Sequence, residues 1–162
     1  MAPIRRCADK AADRITAITH NHPEGMKGAR ATTHAIWLAF HGAAPRQIRR
    51  TIEDAYGYDL SRTVDEIRLG YSFDPTCQGT VPEAITCALE STTLEDSVRN
   101  AISLGGDADT LAAVAGPIAE TMHGIPVNLV DTARMRVLSQ TPDLVDVMTR
   151  MYSAGDMTGA AT

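Results

Sequence analysis

Apolar positions recur at three- and four-residue intervals along nearly the whole chain, the period of an α-helix rather than a strand. From Arg6 to Ile18 the residues Cys7, Ala8, Ala11, Ala12, Ile15 and Ile18 fall on one stripe, which predicts a helix with that stripe buried. Asn21-His22-Pro23-Glu24-Gly25 interrupts the pattern. A second helix is expected from about Met26 to His41, its inner face carrying Ala31, Ala35, Leu38 and Ala39, with Gly42 as its stop. Pro45 suits the first turn of a third, with Ile48, Ile52 and Ala55 turned inward.

Beyond Tyr56 the chain turns irregular up to Thr80, with one short helix at Val64–Arg68. Pro82 is expected to open a helix through Leu89. Thr93 can cap another ending near Leu104, because Asp96 falls at its third position. Two helices follow Asp107, and Pro142 begins a last one to about Tyr152. No segment alternates over six residues and no fixed-period repeat occurs, so the fold class is all-α. Residues 1–152 are expected to form one helical domain, and 153–162 a frayed, flexible tail.

Composition narrows the possible roles. A chain of 162 residues has the length and apolar content for one core. Its net charge of −5 is unevenly spread: residues 1–60 hold nine Lys or Arg against six Asp or Glu, the remainder six against fourteen. No run of like charge results, which argues against a nucleic acid or a lipid surface as partner. Three cysteines, Cys7, Cys77 and Cys87, without CxxC spacing argue against a zinc cluster or a disulfide framework, and Cys77 lacks any local pattern of a thiol nucleophile. No uninterrupted apolar stretch reaches the length of about 18 residues that spans a bilayer. The basic N-terminus has no apolar region behind it, so a cytoplasmic location is expected.

The chemistry concentrates in Gly105-Gly106-Asp107-Ala108-Asp109-Thr110. Two residues apart on a regular helix, Asp107 and Asp109 would point about 200° from each other. At a helix N-terminus they can converge, since a capping residue has non-helical dihedrals and the glycines permit close approach. Two carboxylates and a hydroxyl form a hard oxygen set suited to Mg²⁺, Mn²⁺ or Ca²⁺. The plain alternative is a cap, with Asp107 accepting amides and Asp109 complementing the helix dipole. An EF-hand does not fit, because Ala112 and Ile118 stand where its glycine and glutamate belong. Leu111 to Ala119 is apolar on nearly every face, which predicts a central buried helix, bent at Gly116-Pro117.

Gly-Gly-Asp-Ala-Asp-Thr followed by a small-residue helix resembles the C-terminal signature of the ADP-ribosylglycohydrolases, the family that includes dinitrogenase-reductase-activating glycohydrolase. Three further blocks agree in order and spacing. Thr19-His20-Asn21-His22-Pro23-Glu24-Gly25-Met26-Lys27-Gly28-Ala29 is similar to the family's His-Pro-Glu-Gly loop. Tyr58-Asp59-Leu60 to Tyr71, and Cys77-Gln78-Gly79-Thr80-Val81-Pro82-Glu83-Ala84, resemble a common bacterial branch. The match runs from about Ala2 to Pro126.

The resemblance implies an all-helical, metal-dependent hydrolase that removes ADP-ribose from modified proteins or small molecules. It implies two Mg²⁺ or Mn²⁺ ions held between an N-terminal Thr-Asp-Asp cluster and the C-terminal Asp-x-Asp-Thr, so that Asp107 and Asp109 are the catalytic candidates and Asp107, Asp109 and Thr110 the metal ligands. His20, Glu24, Gly25, Gly105 and Gly106 are the implied substrate-contacting residues; for the His20 turn, helix capping and chain reversal are equally good explanations. Neither Thr-Asp-Asp nor an Asn-Gly-Ser-type phosphate loop occurs in the 162 residues. The chain is therefore expected to be the C-terminal half of a member, truncated at the N-terminus and weak or inactive alone. Two readings stay open: a hydrolase lobe completed by a complementary N-terminal polypeptide, or a non-catalytic remnant that binds ADP-ribose-like ligands or a protein partner. Core surface left open by the missing half would favour a homodimer.

Overall fold

The computed structural model describes residues 3–156, with side chains from 8 to 150. Among the described residues nine α-helices follow one another: α1 Pro3–Thr19, α2 Pro23–Phe40, α3 Pro45–Tyr56, α4 Val64–Arg68, α5 Cys77–Leu89, α6 Leu94–Ser103, α7 Ala108–His123, α8 Val127–Arg136 and α9 Pro142–Asp156, with a 3₁₀ turn at Leu138–Gln140. Among the described residues there is no strand, as the helical period requires. None of the described helices is long and apolar enough to cross a membrane. The chain packs as two compact units, Met1–Gly124 and Ile125–Thr162. α9 continues past Tyr152 to Asp156, and residues 157–162 of the expected tail lie outside the described ones.

Local chemistry sets the helix boundaries. His22 caps α2, its Nδ1 accepting the Glu24 amide at 3.3 Å, and Pro23 takes the first helical position, where a missing N–H costs nothing. The helix thus starts three residues before the expected Met26; the Pro-Glu-Gly segment is its first turn rather than a break. Thr63 and Glu66 form a capping box on α4, with the Thr63 amide 2.7 Å from Glu66 Oε2. Thr93 caps α6 as expected, accepting from the Asp96 amide at 3.0 Å.

α5 departs further from the sequence pattern. It begins at Cys77 under a Thr76 cap, which places Pro82 inside the helix instead of at its head. Proline deprives the Gln78 carbonyl of its helical donor. Gln78 is exposed, so solvent reaches that end of the helix and the cost is contained.

The core of the first unit lies around α5, where every residue from Thr80 to Leu89 is buried. α2, α3, α4, α6 and α7 all pack on it. Ile48 and Ile52 of α3, Ile85 of α5, and Leu111 and Ile118 of α7 are fully covered. Each such side chain contributes about 1.5–3 kcal/mol of burial. Ala55 is exposed, so α3 turns inward through its two isoleucines alone.

Two expectations about burial fail. α7 packs against α2, α5 and α6 but is not covered on most sides: it buries one stripe, Leu111, Ala115, Ile118 and Ala119, and leaves Ala113 and Pro117 exposed. Its outward residues are small as well as apolar, so exposing them costs little. α1 packs on α2, but Ile15 is 71% and Ile18 82% exposed. Ala8 and Ala12 of the expected stripe are half-buried and the Cys7 side chain lies outside the described ones, while Ala11, Ile15 and Ile18 face outward; Asp13 bonds Arg30 of α2 at 2.6 and 2.8 Å.

Candidate functional site

α6 ends at Leu104, and Gly105 and Gly106 follow with φ of +76° and +63°. Two successive left-handed residues turn the chain sharply, a conformation that L side chains rarely adopt. At Gly106 space adds a second demand. A Cβ there would meet Tyr71 Cε1 at 3.0 Å and the Phe73 Cα and nitrogen at 3.1 and 3.2 Å.

Asp107 then occupies the N-cap of α7, its carbonyl accepting the Leu111 amide at 3.0 Å. Its carboxylate, however, accepts no cap hydrogen bond. The Asp109 carboxylate receives the Thr110 amide at 3.0 Å. Hydrogen bonding with the Asp107 side chain, reinforced by the Thr110 amide, holds Asp109 below the usual carboxylate range. Asp107 is half-buried, whereas Asp109 and Thr110 are exposed. The turn therefore brings two carboxylates together, with one of them released from the capping role that the plain alternative assigned it.

The His20 turn forms a separate wall. The His20 amide bonds back to Thr16 O at 2.7 Å, closing α1, and His20 O accepts the His22 amide at 2.8 Å. Gly25 lies under this turn: a Cβ on it would stand 2.9 Å from His20 O. Glu24 pairs with Lys27 at 3.5 Å. An open cleft of about 560 Å³ separates this turn from the start of α5, with His20, His22, Glu24 and Gly25 on one side and Cys77 and Gln78 on the other.

The predicted residues thus fall into two groups. His20, Glu24 and Gly25 share the cleft. Gly105, Gly106, Asp107, Asp109 and Thr110 gather at the α6–α7 turn and are not among the cleft's lining residues. The segment 71–78 touches both, since Tyr71 and Phe73 pack on Gly106 while Thr76, Cys77 and Gln78 line the cleft. Burial pushes the Tyr71 hydroxyl up, opposed by the Thr80 side chain and supported by the nearby negative charges of Asp74, Glu83 and Asp107. Sequence reasoning gave this segment no site role. Its signal was present in the Cys77–Ala84 block, but a stretch without a carboxylate pair or a motif histidine does not announce a cleft wall.

Asp107, Asp109 and Thr110 are hard oxygen donors of the kind Mg²⁺ and Mn²⁺ take, and the uncapped Asp107 carboxylate suits that role. They are too few to fill an octahedral shell. Among the described residues no group of three or more His, Cys, Asp or Glu converges on one point. Compared with known proteins, residues 2–156 match the family model described as ADP-ribosylglycohydrolase. No curated protein matches the chain.

Proposed function

The chain belongs to the ADP-ribosylglycohydrolase family, a family of hydrolases acting on ADP-ribosylated substrates, and from that membership we propose that it contributes one half of a divalent-metal glycohydrolase site. In this reading Asp107, Asp109 and Thr110 ligate Mg²⁺ or Mn²⁺. His20, Glu24 and Gly25 line the approach of the ADP-ribosyl group, and Gly105, with open space where a side chain would stand, leaves its side of the turn free for the ligand while Gly106 makes room for Tyr71 and Phe73. The observation that carries the reading is the Asp107 carboxylate: it sits at a helix N-cap, makes no cap bond and abuts Asp109.

A divalent ion held by Asp107, Asp109 and Thr110 would supply Lewis-acid polarisation of a water and of the oxygen that gains charge as the glycosidic bond opens. The protein's own part is positional. α7 fixes the two acids within one turn, and the His20 turn with the head of α5 bounds the cleft. The remaining oxygen ligands come from a segment bearing a Thr-Asp-Asp cluster, which the 162 residues do not contain.

Calorimetry with Mn²⁺ and ADP-ribose tests this. The two ligands should bind with positive coupling, and Asp107→Ala should remove the coupling. Binding of ADP-ribose that ignores both Mn²⁺ and Asp107→Ala would replace the proposal with a metal-free binding module.

A further inference from the structure

The stripe that α1 turns outward is large and carries its own charge pattern. Ile18, Ala11 and Ile15 fall within an arc of about 60° on the helix, and all three are exposed. Openings flank Ile15 on both sides. One, of about 320 Å³, is bounded by Ala11, Arg14, Ile15 and Ile18. The other, of about 360 Å³, reaches from Ile15 across Gly28 and Ala29 of α2 to Val81 of α5 and Val114 of α7.

Lys10 and Arg14, one turn apart, edge the stripe; both are exposed. Arg14 forms no ion pair with any described residue. The acids Asp9 and Asp13 project from the opposite side of the helix, and Asp13 is held by Arg30. This face of α1 is apolar at its centre, basic along one edge, and free of acidic residues.

We propose that the α1 face and the adjoining groove receive an amphipathic helix from another polypeptide segment, its apolar side covering Ile15 and Ile18 and its acidic flank meeting Lys10 and Arg14. A second copy of this chain is a poorer occupant. Antiparallel two-fold pairing of α1 through this face would bring Lys10 and Arg14 of both copies together with no carboxylate between them, and parallel pairing would leave both basic edges without an acid to meet. The inference does not depend on the hydrolase reading.

The test uses the full chain and a labelled synthetic helix of about 20 residues, long enough to hold its fold, with leucines on one face and glutamates along its edge. A counterpart replaces each glutamate by lysine. Fluorescence anisotropy should show the glutamate helix binding at least about tenfold more tightly than the lysine helix. K10E with R14E should reverse that order, and I15S with I18S should weaken both. These side chains are on the surface, so circular dichroism should be unchanged in each variant. Equal affinities for the two helices, or no binding of either, would overturn the proposal. So would a wild-type dimer in sedimentation that I15S dissociates, which would make a second copy the occupant.

Discussion

The Phe73 backbone crosses the α6–α7 turn 3.1 Å from the point where a Cβ on Gly106 would stand. Gly105, its neighbour, has a similar left-handed φ but no atom within 4 Å of the equivalent point. The pair separates dihedral strain from crowding. Gly105→Ala should cost about 1–2 kcal/mol, the penalty of a left-handed alanine. Gly106→Ala should cost about 1–3 kcal/mol more, because backbone must move to admit the methyl. Urea unfolding of the two variants measures the difference. Equal losses would mean that Phe73 exerts no pressure on the turn.

Alkaline stability should depend on Cys87. Burial pushes its thiol from an ordinary 9.0 up to about 12. A group whose folded value is raised contributes stability that is fully present below its unfolded value and lost as pH rises through the folded one. Stability should therefore fall between pH 9 and about 12, by up to about 4 kcal/mol at roughly 1.4 kcal/mol per unit. Tyr58, raised by burial from 10.0 to about 12, steepens the upper part of that window. Cys87→Ala should flatten the slope starting near pH 9 and leave the part starting near 10. A wild-type urea midpoint that stays level from pH 8 to 11 would contradict this.

Glu83 is 6% exposed and pairs with Arg62, whose side chain is about half exposed. Burial raises the carboxyl; the Arg62 charge and hydrogen bond pull it back without cancelling the rise. Its contribution to stability is thus present below about pH 4.5 and declines as pH rises through the folded value. Arg62→Ala raises Glu83 further, so the variant should lose more at pH 7 than at pH 4. The loss at pH 7 should be about 1–2 kcal/mol, reduced from the value of a fully buried pair by solvent around the arginine. Adding Glu83→Gln should restore most of it. A loss that is the same at both pH values would remove Glu83 as its cause.

The period of apolar residues made the all-α class legible, and cap chemistry located several boundaries. Val64–Arg68 and the Thr93 cap needed only neighbouring residues to specify them. Burial was harder to read, because periodicity shows that a stripe exists and not which way it faces. Ile15 and Ile18 make a proper stripe, yet they face solvent while Asp13 of the same helix bonds Arg30 of α2. Likewise Leu111 to Ala119 gave no hint of which side α5 would cover, since small residues lie all around it. The site shows the same division. The acids at 107 and 109 and the His20 turn were visible as motifs, whereas the cleft wall at Thr76–Gln78 emerges only when α5 packs against α2.

Catalysis gives the last prediction. In the proposed site three protein ligands leave water to fill the rest of a six-oxygen shell, and the 162 residues contain no Thr-Asp-Asp to hold the ion more firmly. A poorly held metal and water forgo several kcal/mol of transition-state stabilisation, at about 1.4 kcal/mol per tenfold in rate. The purified chain should therefore release ADP-ribose from a modified protein slowly in Mn²⁺. Adding a separate polypeptide that bears the Thr-Asp-Asp cluster of a family member should raise the rate by about a hundredfold or more. Asp107→Ala or Asp109→Ala should abolish that gain while leaving the residual rate nearly unchanged. A second copy of this chain adds no such cluster, so raising the protein concentration alone should leave turnover per chain constant. Fast turnover by the chain alone, lost in Asp107→Ala, would show that these residues complete the metal shell themselves.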